Sequence, residues 1–221
     1  MKFIGHLDIM RYFQKAIRRA DIDIAYSEGF SPHQIMSFAA PLGVGLTSDG
    51  EYLDIEVHST RSSKESVDAL NRTGVDGIHV VSYRLLGDKT PNAMSSVAAA
   101  DYRVTFREGK ALEGWQEKLK AFYEQPEIVI TKKTKKSERE LDLKPLIYQL
   151  SVEGDAVFMR LCTGSVDNIK PELVMEAFYC SLGLEMPEFA LLIHRIELYT
   201  DKGDEGERKF VSLEEVGDLI E

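Results

Sequence analysis

Cysteine is scarce: the 221-residue chain has two, Cys162 and Cys180, with no CxxC or CxxxCxxC spacing. Two thiols complete neither a four-cysteine zinc site nor an iron–sulfur cluster, so cluster and radical chemistry within this chain is excluded. Long apolar runs are also missing. No stretch approaches the roughly 18 to 20 residues of a membrane span. The opening MKFIGHLDIMRYFQ has neither the apolar core nor the small-residue cleavage site of a secretion signal. A cytoplasmic protein without membrane association is expected. There is no GxxxxGK[ST], and Gly29, Gly43, Gly45 and Gly50 lack the strand, GxGxxG and helix context of a dinucleotide site. No cofactor and no metal site are expected.

Positive charge is in deficit, with Lys+Arg 27 against Asp+Glu 37 and a net charge of −10. The deficit is local. Residues 1–150 carry 21 side chains of each sign, whereas residues 151–221 carry 6 basic and 16 acidic ones. A uniformly basic nucleic-acid binder is therefore excluded, while a nucleic-acid surface in the first two thirds is not.

Hydrophobic period organises the rest. Met10, Phe13, Ile17 and Ala20 recur at helical spacing within Leu7–Ala20. Residues 26–50, rich in Gly, Pro and Ser, predict a long structured loop around a short strand near Ser37–Ala40. Glu51–His58 alternates as a half-buried strand, Ser62 and Glu65 form a capping-box pattern opening a helix to about Arg72, and Gly77–Leu86 reads as a strand. The small, polar segment Gly87–Ser96 is the boundary candidate. Beyond it, Tyr102, Val104 and Phe106 mark a strand and Leu112, Trp115, Leu119 and Phe122 a helix. Ile128–Ile130 predicts a strand, and Leu146–Val152 pairs with Ala156–Cys162 across Glu153-Gly154-Asp155. Pro171 to Gly183 delimit another helix, and Leu191–Tyr199 a last strand.

The fold expected is α+β, two tandem ferredoxin-like (βαββαβ) units. Unit one spans 1–90 with the His/Gly-rich loop 26–50, its first strand short or truncated to Met1–Ile4. Unit two spans 91–200 with a basic loop over 131–144. An acidic tail, 201–221, follows with 8 acids against 3 bases and a short helix from a Ser212–Glu215 capping box.

Three groups of side chains carry candidate chemistry. Arg11, Lys15, Arg18 and Arg19 fall at spacings of 4, 3 and 1 on the first helix, which places three of them on one face away from the apolar one, and Lys132, Lys133, Lys135, Lys136, Arg139 and Lys144 form the densest basic run. Both patterns fit a phosphate track as well as solvated surface. Ser165, Asn168 and Lys170 precede Pro171 in a polar turn, and Lys144-Pro145 is a similar turn; each fits an anion site or a plain helix start. His6 with Asp8, and His33 in the loop, fit a general acid/base pair, or a helix-start and a loop-fixing residue. His58, His79 and His194 read as ordinary sheet residues. Tyr26, Phe30 and Phe38 suit base stacking or packing, and no RNP-like aromatic sequence accompanies them.

The segments KFIGHLDIMRYFQKAIRRA (2–20), AYSEGFSPHQIMSFAAPLGVGLTSDGEYLDIEV (25–57), RELDLKP (139–145) and GSVDNIKPE (164–172) together resemble the radical-SAM-linked family over about residues 2–200. That family is a domain of unknown function fused to, or encoded beside, B12-binding-type radical SAM proteins. Its members usually carry a full strand before the HLD segment and read GFNPHPKISFA in the loop. Here Ser31, Gln34 and Ile35 replace the Asn, the second Pro and the Lys, so no role of that Lys carries over. The resemblance implies an accessory module working with a radical SAM protein on a separate chain. With the basic segments, it suggests presentation of RNA or another phosphate-bearing substrate. The alternatives are an RNA-processing or RNA-modifying enzyme using His6 or His33, and a module that only docks proteins.

Overall fold

The computed structural model describes residues 2–133, 138–164, 167–204 and 206–221. In chain order the elements are α1 (His6–Arg19), β1 (Met36–Phe38), β2 (Thr47–Ser48), β3 (Leu53–Ile55), α2 (Ser63–Arg72), α3 (Ala93–Ser96), β4 (Val97–Phe106), α4 (Trp115–Tyr123), β5 (Val129–Lys133), β6 (Glu138–Asp142), β7 (Ile147–Glu153), β8 (Ala156–Cys162), α5 (Pro171–Ser181), β9 (Leu191–Asp201) and β10 (Phe210–Ser212). The architecture is mixed α+β. The chain divides into two units, one formed by residues up to Gly45, Glu51–Val97 and Thr200–Glu221, the other by Leu46–Gly50 and Ala98–Tyr199. No helix among the described residues is long and apolar enough to cross a membrane.

In the first unit, α1 follows the period read from its sequence. Ile17 and Ala20 are buried with Ile24, Ala69 and Leu70, and Phe13, Met36, Ile55, Val80 and Tyr83 pack against them. The helix ends in a Schellman motif: Ile22 N–H donates to Ile17 O and Asp21 N–H to Arg18 O. Asp21 takes the left-handed position at φ 56°, where glycine is the usual residue. The Ser62–Glu65 capping box is formed in both directions and starts α2. Strands β1 and β3 pair antiparallel from Met36↔Ile55 to Phe38↔Leu53, and the bridges Ile24↔Val57 and Tyr26↔Gln34 extend the same strip.

Three expectations for this unit change. No strand precedes α1 among the described residues, where the Lys2 carbonyl instead accepts from Gly45 N–H. Gly77–Leu86 does not form a strand. The Asn71 side chain clamps Val80 through two 2.8 Å bonds, donating to its carbonyl and accepting from its N–H, which occupies the groups a ladder would use. Within that stretch Leu85 alone makes a bridge, to Asp218. The tail forms a 3-10 turn over Leu213–Glu215 rather than an α-helix, and it is tied to the unit by Ser63–Ile220 bonds and the Arg84–Glu214 ion pair.

The second unit is built on a sheet ordered β9-β4-β8-β7, with β2 beside β9 in parallel. β4 and β7 both pair antiparallel with β8. Gly154, at φ 64°, turns the β7–β8 hairpin. Partners Ala100↔Leu161, Tyr102↔Met159 and Val104↔Val157 place buried side chains on one face, and α4 and α5 add Leu119, Phe122, Val174 and Phe178 to the core. Most of the expected basic loop is a regular hairpin: β5 and β6 pair from Val129↔Asp142 to Lys133↔Glu138.

Replacing Ser62 by Ala removes one half of the capping box and is expected to cost about 1 kcal/mol of stability. Urea denaturation monitored by circular dichroism checks this, and an unchanged midpoint contradicts the capping assignment.

Candidate functional site

The histidine candidates are held separately. His6 opens α1 and sets its ring edge-on to Phe38 at 5.4 Å, while Asp8 pairs with Arg11 at 3.3 Å on the exposed helix surface. Asp8 is thus committed to Arg11. His33 lies in the loop, its Nδ1 2.8 Å from Ser27 Oγ, which also accepts the His33 N–H at 3.1 Å; Ser27 N–H donates to His33 O. These bonds close the turn carrying Gly29 at φ 107°. No hydrogen bond or ring contact joins His6 to His33 among the described residues. Phe38 is buried between His6 and Phe13, so it is a packing residue, whereas Phe30 is fully exposed.

Arg11, Lys15, Arg18 and Arg19 are all exposed along α1. Lys132, Lys133 and Arg139 lie on the β5–β6 backbone, with Lys132 opposite Arg139. Lys135, Lys136 and Ser165 lie outside the described residues. Lys144 has a structural partner: its ammonium donates to the Tyr123 carbonyl and sits 3.8 Å from the centre of the Tyr123 ring. Asn168 and Lys170 are exposed. Asn168 bridges Thr163, and Lys170 caps α5 through its backbone position, with no side-chain cap bond.

Residues from distant parts of the sequence make a feature that sequence reasoning missed. Arg18 at the end of α1, the segment from Asp21 to Ile24, Tyr26, Gln34 and the segment from Ser59 to Arg61 line a cavity of about 480 Å³. Gln34 is 4 % exposed; its Nε2 donates to Gln14 O at 3.2 Å and its Oε1 has no hydrogen-bond partner. Arg61 donates to the Asp21 carbonyl and carboxylate at 2.9 and 3.2 Å, and Ser59 donates to the Asp23 carboxylate at 2.7 Å. The only local signal was the concentration of Gly, Pro and polar residues around Gln34.

Two further constellations emerge in the second unit. The β2–β9 pairing brings Thr47 Oγ1 to 2.8 Å from His194 Nδ1, while His194 Nε2 lies 3.0 Å from Asp49 Oδ1. This has the connectivity of a hydroxyl–imidazole–carboxylate relay, but Asp49 is 68 % exposed and the residues line no described cavity, so water screens the charge and the chemistry lacks an enclosed site. On the sheet, Asp101 is 4 % exposed and accepts from Arg160 Nε and Nη2 at 2.6 and 2.7 Å and from the Tyr199 hydroxyl at 2.9 Å. The guanidinium also lies over the Tyr199 ring at 4.6 Å. In the first unit, burial raises the Asp54 carboxyl above its usual range, opposed by the Ala93 N–H that it accepts at 2.6 Å. That bond anchors the start of α3, a structural use. No group of three or more His, Cys, Asp or Glu among the described residues is arranged to hold a metal.

Residues 1–171 match a family model described as an uncharacterized protein conserved in bacteria, DUF2344. No curated protein matches the chain.

Burial, followed by the hydrogen bond to Asp101 and the charge of that carboxylate, pushes the Tyr199 hydroxyl from its ordinary value of 10.0 up to about 12. Because the folded value lies above the unfolded one, the stability linked to Tyr199 is complete below pH 10 and is lost as pH rises toward 12. Ultraviolet titration is expected to find Tyr199 ionising late in the native chain and nearer its ordinary value in Asp101→Asn. Equal titration curves contradict the network.

Proposed function

The chain belongs to DUF2344, a family of uncharacterized proteins conserved in bacteria, and from that premise we propose that it is a non-catalytic accessory module that presents an RNA-like, phosphate-bearing substrate to a separate radical SAM protein. The observation that carries the substrate class is the α1 face, where Arg11, Lys15, Arg18 and Arg19 are exposed together on a helix held rigid by its buried side. Cations fixed on one helix track neutralise successive phosphates without reading sequence. The partner rests on the resemblance of the GHLD and GF-x-PH segments. It also rests on cysteine content, since a chain with two cysteines needs its cluster chemistry supplied elsewhere. Its working compartment on this reading is the cytoplasm.

We read the second unit as ferredoxin-like. Its strand–helix–strand–strand–helix–strand order, apart from the inserted β5–β6 hairpin, and its first strand β4 at the centre of the order β9-β4-β8-β7 both support this. For the first unit the reading rests on the helix–strand–strand–helix order alone. An RNA-cleaving role has less support: the ring of His6 packs on Phe38 and that of His33 bonds Ser27, and neither has a carboxylate partner among the described residues. Docking through the acidic tail is weakened by the engagement of Glu214 with Arg84.

Fluorescence anisotropy with pooled cellular RNA across a salt series tests this function. Affinity is expected to fall with a log–log slope of roughly −0.7 per neutralised phosphate. Joint substitution of Arg11, Lys15, Arg18 and Arg19 by Ala should flatten that slope by two to three, an estimate of about 0.7 for each cation. Charge reversal of Lys132, Lys133, Lys135 and Lys136 should abolish binding. Absence of binding at low salt overturns RNA presentation by this chain.

A further inference from the structure

We propose that Phe30 is a base-stacking residue, the apolar tip of a hydrogen-bonded arm that takes one unpaired base of a single-stranded RNA whose phosphates lie along α1. The inference deepens the RNA reading and rests on it for the substrate class. Its starting point is the ring itself. Phe30 is exposed over its whole surface, at 110 % the most exposed large hydrophobic side chain among the described residues. Slack in the loop does not account for this. Tyr26 and Gln34 bridge antiparallel, and Ser27 N–H donates to His33 O at 2.9 Å. Ser27 Oγ accepts the His33 N–H at 3.1 Å and lies 2.8 Å from His33 Nδ1. Gly29, at φ 107°, then turns the chain at the tip, a conformation open to glycine without strain. A turn closed by three hydrogen bonds, holding its one benzyl group in water, leaves that ring for a partner to cover.

The neighbouring charges decide what kind of partner covers it. The arm is anchored to α1, because Gln34 at its base is buried and donates through Nε2 to Gln14 O at 3.2 Å. Gln14 sits among the cations of that helix, one turn after Arg11, beside Lys15 and one turn before Arg18. Four residues from Gln34 to Phe30 span at most about 14 Å, so the ring stays close to this face. Arg11 pairs with Asp8, whereas Lys15, Arg18 and Arg19 make no ion pair among the described residues. Glu28 is the one acid of the arm, against four cations on the helix, and the balance favours an anionic partner. An aromatic ring beside a cationic track fits a nucleobase whose phosphates the track neutralises. Every base has a π-face, so stacking reads no sequence. It does read strandedness: the bases of a single strand are free to splay onto a side chain, and those of a duplex are already stacked on each other. The α1 cations alone would hold either form, and Phe30 adds the preference for an unpaired base.

The test uses the full chain, with a short single-stranded RNA, the duplex of the same sequence and phosphatidylserine vesicles as probes. Phe30→Ala and Phe30→Leu are each expected to weaken single-strand binding by about tenfold and to leave duplex binding unchanged. Phe30→Trp keeps the aromatic face and should bind as the parent does. The chain's one tryptophan, Trp115, is buried, so the indole of Phe30→Trp is the exposed reporter, and the single strand but not the duplex should quench it. A fully exposed ring contributes no packing, and all three variants should keep the parent's urea midpoint. Single-strand binding undiminished in Phe30→Ala overturns the stacking residue and leaves RNA presentation standing. Parent-like affinity in Phe30→Leu shows an apolar contact without stacking, and equal losses for single strand and duplex show a contact blind to strandedness; each overturns the proposal. Vesicle binding that needs Phe30, without RNA binding, shows a membrane tip and overturns both readings. Binding of neither single strand nor duplex by the parent also overturns stacking together with RNA presentation.

Discussion

The burial of Ile17 and Ala20 against Ala69 and Leu70 fixes the rotation of α1, and with it everything the first unit shows to solvent. Once that stripe faces inward, helical geometry leaves Arg11, Lys15, Arg18 and Arg19 outward. The same contact aims the helix end at the Ser59–Arg61 segment, because the Schellman turn sends the chain back through Ile22 into the cluster that Ile17 has started. Apolar packing thus sets both the cationic face and the position of Arg18 beside Gln34. Neither feature has interactions of its own strong enough to orient a helix; exposed charges contribute little to stability.

The second unit depends on register. Asp101 sits opposite Arg160 in the β4–β8 ladder, with Tyr102 opposite Met159 one position along. A slip of one residue would turn Asp101 toward the face that buries Val104 and Val157, stripped of its three donors. A buried ion pair of this kind adds little net stability, because desolvation offsets most of the attraction. It does penalise the wrong pairing heavily, since an unpaired buried carboxylate is far more costly than a displaced leucine. The Tyr199 hydroxyl, donated from β9, extends the same constraint to a third strand.

What was legible in the sequence is what local chemistry decides. The Ser62–Glu65 pair, Gly154 in its hairpin, and Pro171 and Gly183 around α5 act within a turn of the chain, and each occurs as its residues imply. Misreadings arose where a distant or longer-range group took over the backbone. Gly77–Leu86 has a strand composition, yet Asn71 reaches across from α2 and occupies Val80. Lys144 belongs to a basic run by position and to Tyr123 by contact. Among the candidate site residues, the α1 cations were legible because a helix period predicts both faces at once. Gln34, Thr47, His194 and Asp101 were not, because their significance lies in partners 20 to 147 positions away.

Two departures from local rules meet at one cavity in the first unit. Asp21 holds a left-handed conformation that Gly would adopt without strain, and Gln34 buries an acceptor that an apolar side chain of the same length would not leave unpaired. Each is unfavourable alone. Gly154 and Gly183 show the simple remedy at other positive-φ turns, whereas Phe189 at φ 54° and the unpartnered Ser66 Oγ and Glu172 Oε2 repeat the same departures away from the cavity. Asp21, however, is the residue whose carboxylate engages Arg61, and Gln34 is the residue that ties its loop to α1 by donating to the Gln14 carbonyl. Gly at 21 would remove the carboxylate contact and Leu at 34 the bond to Gln14, so each departure is offset by a contact that ties two segments of the first unit together.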